Sequence, residues 1–208
     1  MSSQEPSTEA GTEPSPWNVP NALTVLRILL VPLFGWMLLA HPEAAGWRWA
    51  TTGVFVLAMA TDFVDGRLAR SHNLITSFGK LMDPIADKAL TGMAFIGLSI
   101  IGELWWWVTI VILLREWGIT VMRFFILKYG VMAANRGGKL KTMTQSAALV
   151  LYLLPLPAAG LSFGGIVEVV SWVLMAAAFL LTVLTGLDYL REAARMRAGY
   201  LATHPDAR

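Results

Sequence analysis

Six apolar stretches of about twenty residues dominate this chain, at 22–40, 49–70, 83–102, 104–128, 143–161 and 167–187. Each is long enough to cross about 30 Å of hydrocarbon at roughly 1.5 Å per residue. Hydrophobic residues make up 56% of the 208 and charged residues only 14%, a balance poor for a soluble domain and ordinary for a polytopic membrane protein. The expected fold is an all-α integral membrane protein with six transmembrane helices and a cytoplasm-facing polar cavity. There is no cysteine, so disulfides and thiolate–metal chemistry are excluded. A net charge of +2 is too small to argue for a nucleic-acid partner.

The spans sort the chain into three parts. Residues 1–16 are rich in Ser, Thr, Glu, Pro and Gly and lack the basic start and apolar core of a secretory signal, so a disordered cytoplasmic tail is expected. Residues 17–190 hold the helices, and 191–208 form a basic cytoplasmic C-terminal tail suited to lying on anionic lipid. Arg67, Arg70, Lys80, Lys128, Arg136, Lys139, Lys141, Arg191, Arg195 and Arg197 fall on the side of the N-terminal tail, whereas the opposite loops hold only Arg48. That asymmetry puts both termini in the cytoplasm and predicts a multi-pass protein of the cell's inner membrane. Trp105, Trp106 and Trp107 then mark the outer interface.

Two spans reach membrane length only with acids included. The second ends in Asp62 and Asp65, and the third begins with Asp83 and Asp87. On helices these are i,i+3 and i,i+4 pairs, each on one face. Surface acids paired with Arg67, Arg70 and Lys80 are the bland alternative. Acids at a helix C-terminus oppose the macrodipole, however, and four carboxylates near lipid need stronger compensation than exposed cations supply. A metal site is the better account, and hard oxygen ligands suit Mg²⁺ or Mn²⁺.

The run Asp62-x2-Asp65-Gly66-x2-Ala69-Arg70-x8-Gly79-x3-Asp83-x3-Asp87 resembles the signature of the CDP-alcohol phosphatidyltransferases at every fixed position. Flanking segments look most like those of phosphatidylglycerophosphate synthases: Asn21-x2-Thr24-x2-Arg27, Arg115-Glu116 with Arg123, and Gly138-Lys139-x-Lys141-Thr142. The resemblance implies transfer of a phosphatidyl group from CDP-diacylglycerol to glycerol 3-phosphate, with CMP leaving, in a homodimer. It implies two divalent ions held by Asp62, Asp65, Asp83 and Asp87, with Asp87 also the general base. In the same way it assigns Asn21, Thr24, Gly66, Arg70, Thr76 and Gly79 to CDP-diacylglycerol.

The acceptor's phosphate needs cations, and Arg27, Arg115, Arg123, Lys139 and Lys141 are the candidates. Arg27 could instead pair with an aspartate, since an arginine in an apolar helix needs some partner. Arg115 could pair with Glu116 or Asp188. Arg115 and Arg123 lie about 12 Å apart along one helix, so one phosphate need not touch both. Gly137-Gly138 ahead of the two lysines could form a loop of backbone donors. Sibling enzymes using the same donor, a phosphatidylinositol phosphate synthase or a cardiolipin synthase, remain alternatives, as does a divalent-cation transporter.

Overall fold

The computed structural model describes residues 18–71, 76–126, 136–155 and 164–203. Every regular element among them is a helix: α1 (Val19–Ala40), α2 (Ala45–Ser71), α3 (Ser77–Ile100), α4 (Trp106–Ile126), α5 (Arg136–Leu153) and α6 (Gly164–Thr203). Two of the described helices, α1 and α6, are apolar and long enough to cross a membrane by composition alone. The other four carry most of the charged residues of the candidate site, Arg27 on α1 being the exception.

Helix α1 packs on α2 and α3, α5 lies along α6, and α4 also packs on α6. The core between them is fully buried Phe34, Leu38, Phe55, Leu90, Phe95, Leu98, Ile112 and Leu149. Close approach of α1 and α3 depends on glycines. A Cβ at Gly35 would sit 2.7 Å from the Met93 sulfur, and one at Gly97 would strike Leu38. Small residues at such crossings let two backbones come together. Large apolar side chains point outward elsewhere, among them Leu29 and Trp36 on α1, Leu114 and Phe125 on α4, and Val169, Trp172 and Leu180 on α6. An outward apolar surface of this extent fits helices that face lipid.

Several boundaries differ from the sequence reading, among them the start of α3 at Ser77 instead of 83, both ends of α5 and the end of α6. Helix α5 begins at Arg136 and ends at Leu153, so Gly137 and Gly138 lie in its first turn instead of in a loop. Its end two residues before Pro155 follows from proline's restriction on the residue preceding it. Helix α6 continues unbroken through Arg191 to Thr203.

The end of the bundle away from the aspartates is tied by Arg48, which lies in α2 and is 3% exposed. Its two terminal nitrogens bond both Glu103 oxygens at 2.5 and 2.9 Å. The same guanidinium donates to the carbonyls of Leu153 (3.2 Å) and Tyr152 (2.8 Å), where Thr52 also bonds Leu153. Carbonyls left open by the end of α5 are thus satisfied from α2.

Candidate active site

The first turns of α1 and α3 meet in one polar corner. The Asn18 side chain caps α1 by accepting the Asn21 N–H at 2.9 Å, and Thr76 caps α3 by accepting the Gly79 N–H at 3.0 Å. Both residues are of the short polar kind that favours this position. The Thr76 hydroxyl then donates to Asn21 Oδ1 at 3.0 Å, joining the two helix starts. Gly79 is required by that approach, because a Cβ there would lie 2.9 Å from Asn21 Oδ1.

One turn on, the Thr24 hydroxyl reaches Asp83 Oδ1 at 2.7 Å and the Pro20 carbonyl at 3.1 Å. It has one proton, and the carboxylate is the nearer and stronger acceptor. Asn21, Thr24, Thr76 and Gly79 are therefore brought together beside Asp83. Gly66 and Arg70 lie on α2, but their side-chain surroundings, like those of Asp65, fall outside the described residues.

Arg27 continues the Asn21–Thr24 stripe of α1 and is fully buried. Its Nη1 pairs with Asp62 Oδ1 at 2.7 Å, while Nε donates to the Ala58 carbonyl at 3.3 Å. The pairing with an aspartate, one of the two partners expected for this arginine, is thus present. Asp87, one turn past Asp83 on α3, lies within electrostatic reach of Asp62, Arg27, Lys141 and Glu116. Among the described residues no three His, Asp or Glu side chains form a closed metal cluster. The arrangement shows Asp62, Asp83 and Asp87 on adjacent helices, with the Asp62 side chain 48% exposed.

Beyond Asp87 is a basic cavity of about 360 Å³, walled by Lys88, Arg115, Arg123, Lys139, Lys141 and Glu116 among others. Glu116 is its hub. Its Oε1 accepts from Arg115 Nη1 at 2.9 Å and from Lys141 Nζ in a very short contact. The Glu116 pairing expected for Arg115 is present, whereas Asp188 faces Arg191 at 3.7 Å on the exposed side of α6. Arg115 also donates to Thr185 Oγ1 at 2.7 Å. The guanidinium carbons of Arg115 and Arg123 lie 5.8 and 5.3 Å from the centre of the Tyr189 ring. Lys88, Thr185 and Tyr189 were not singled out from sequence; a lone hydroxyl and an aromatic in an apolar helix give little signal. Gln145, one turn past Lys141, is 5% exposed, and among the described residues its Oε1 has no hydrogen-bond partner.

Two larger cavities, about 490 and 610 Å³, lie at the Arg48–Glu103 end and are lined partly by Tyr152 and Trp172. That end is about 21 Å from Asp62 along α2 by rise per residue.

A family model described as CDP-alcohol phosphatidyltransferase matches residues 17–184. The chain belongs to the CDP-alcohol phosphatidyltransferase family. It is 46% identical over 189 residues to a probable phosphatidylglycerophosphate synthase of Mycobacterium tuberculosis (strain ATCC 25618 / H37Rv), covering 89% of this chain and 86% of that one. A CDP-diacylglycerol–glycerol-3-phosphate 3-phosphatidyltransferase of Rickettsia typhi is 39% identical over 176 residues, covering 84% and 96%. The protein of the same name from Bacillus subtilis (strain 168) is 36% identical over 193 residues, covering 85% and 95%. As a member of this family the chain is a transferase of phospholipid biosynthesis, and its apolar helices fit a membrane protein.

Proposed function

We propose that this phosphatidyltransferase moves the phosphatidyl group of CDP-diacylglycerol onto glycerol 3-phosphate, releasing CMP. The names of its relatives support the substrates. One structural observation carries the reading: Asp87 lies within electrostatic reach both of Asp62 and Arg27 and of Lys141 and Glu116, the last two lining a cavity where five cationic side chains face one carboxylate. Such a site suits an activated lipid on one side and a phosphate-bearing acceptor on the other.

The donor set fits divalent cations. Arg27 engages one oxygen of Asp62 and Thr24 one oxygen of Asp83, which orients both carboxylates. Asp62, Asp65, Asp83 and Asp87 would hold two Mg²⁺ or Mn²⁺ ions. When bound, these would neutralise charge on the pyrophosphate and on the departing CMP phosphate.

The remaining work falls to side chains. Asn21, Thr24, Gly66, Arg70, Thr76 and Gly79 seat the cytidine nucleotide. Arg115, Arg123, Lys139 and Lys141 hold the acceptor phosphate, so that a primary hydroxyl faces Asp87. Asp87 accepts the hydroxyl proton as the oxygen attacks the lipid-side phosphorus, and the bond from that phosphorus to the bridging oxygen breaks. Arg27 serves by fixing Asp62. The bundle crosses the inner membrane six times with this cavity and both termini in the cytoplasm; the outward apolar surfaces of α1, α4 and α6 support that placement.

An acceptor screen tests the proposal. Purified protein with CDP-diacylglycerol and Mg²⁺ should release CMP with glycerol 3-phosphate and yield phosphatidylglycerophosphate. Release only with inositol phosphate, or only with phosphatidylglycerol, would assign it to a sibling activity. Metal flux into liposomes without any lipid product would favour a transporter.

A further inference from the structure

The basic cavity concentrates like charge to a degree that its own residues do not balance. Lys88, Arg115, Arg123, Lys139 and Lys141 line it, against the single carboxylate of Glu116. Glu116 is shared by Arg115 and Lys141. Among the described residues Arg123 makes no ion pair; its guanidinium instead lies against Tyr189.

Helix α6 builds a seat for these two arginines. Thr185 takes a hydrogen bond from Arg115. Gly186, the next residue, gives the arginine stem its space: a Cβ there would lie 3.1 Å from Arg115 Cγ and 3.3 Å from its Nε. Tyr189, one turn on from Thr185, presents its ring to both guanidiniums, and its hydroxyl is held 3.6 Å from where a Cβ of Gly138 would lie. Two carbons that lie 5.8 and 5.3 Å from one ring centre are at most about 11 Å apart. Side chains that leave α4 more than two turns apart are thus turned onto one aromatic platform.

Gathering two cations on one ring costs mutual repulsion. The quadrupole of the aromatic face offsets part of it, and a dianion placed between the guanidiniums offsets more. We propose that Tyr189 is a positioning residue, which with the Gly186 gap sets Arg115 and Arg123 to close on the phosphomonoester of the acceptor. This deepens the function proposed above and rests on it. It also makes α6, whose sequence reads as a plain apolar span, a wall of the acceptor site.

The test compares three variants by steady-state CMP release and by thermal protection with inorganic phosphate. Tyr189→Phe keeps the ring, and its KM for glycerol 3-phosphate should stay within about threefold of the parent. Tyr189→Leu removes the platform and should raise that KM by about tenfold, while kcat and the KM for CDP-diacylglycerol stay within about twofold. Gly186→Ala displaces Arg115 without deleting any charge and should act in the same direction, so it decides the matter if the leucine variant does not fold. Inorganic phosphate should raise the melting temperature of the parent and of Tyr189→Phe, and raise it less for the other two.

A parental KM and parental phosphate protection in Tyr189→Leu or Gly186→Ala would overturn the proposal. So would equal losses in Tyr189→Phe and Tyr189→Leu, or a parallel rise in both KM values. If the parent protein gave no product with glycerol 3-phosphate, the substrate assignment would fail instead, and phosphate protection would still judge the role of Tyr189.

Discussion

Replacing Gly79 by alanine should separate stability from donor binding. The added Cβ would lie 2.9 Å from Asn21 Oδ1, 3.4 Å from Thr76 Oγ1 and 3.9 Å from Asp83 Oδ2. Ordinary contact therefore requires the buried Asn21 amide to retreat by about half an ångström, which breaks its hydrogen bond from Thr76. Loss of that bond costs about 1 kcal/mol. Alanine in place of glycine in a helix returns up to about 1 kcal/mol. The two nearly cancel, so the melting temperature followed by tryptophan fluorescence should move by only a few degrees.

Donor binding has no such compensation. Asn21 and Thr76 would be displaced from the face assigned to the nucleotide, at a cost of about 1–2 kcal/mol. The KM for CDP-diacylglycerol, measured by CMP release in mixed micelles at saturating glycerol 3-phosphate, should rise about 5- to 30-fold. The KM for glycerol 3-phosphate should stay within about twofold. An unchanged donor KM in a folded Gly79→Ala protein would show that the corner between α1 and α3 does not face the nucleotide.

Three further outcomes follow from the geometry. Asp62→Asn, Asp83→Asn and Asp87→Asn should each abolish turnover while the protein still inserts into membranes and purifies as the parent does; near-parental activity in any one removes that residue from the mechanism. Arg48→Met leaves Glu103 and the end of α5 without their shared partner and should destabilise the protein by about 2–3 kcal/mol, discounted from fully buried pairs because Glu103 is partly exposed. Its kcat below the melting transition should be parental, since Arg48 lies far from Asp62; a large fall in kcat with unchanged melting would refute the separation. Gln145→Met replaces a buried amide whose oxygen lacks a partner among the described residues, and should raise stability by about 1 kcal/mol in a thermal melt; a lowered melting temperature would mean that a bound water or ligand serves the amide.

The placement of Asp62, Asp83 and Asp87 on two packed helices was legible because it follows from local spacing. Intervals of three and four residues put each pair on one helix face, and their cost in an apolar setting demands a purpose. Arg27 was legible as a residue that must have a partner, though the choice of Asp62 required the packing of α1 on α2. Glu116 was visible only as a neighbour of Arg115; its second link, to Lys141 across two helices, is a tertiary fact. The seat on α6 was hidden for the same reason. Thr185, Gly186 and Tyr189 read as small and aromatic residues in an apolar span, and they gain a role only when α4 packs beside them. The early start of α5 also escaped. A glycine pair argues against helix locally, but packing along α6 and the Lys141–Glu116 contact override that preference.

Adjacency of the carboxylate corner and the basic cavity is the claim on which the account stands, and phosphorus relaxation by bound Mn²⁺ measures it directly. Protein loaded with Mn²⁺ should strongly relax the ³¹P signal of glycerol 3-phosphate, and Asp83→Asn should abolish the effect by losing the ion. Specific glycerol 3-phosphate binding without paramagnetic relaxation, in protein shown to hold Mn²⁺, would place the acceptor away from the aspartates and contradict the mechanism.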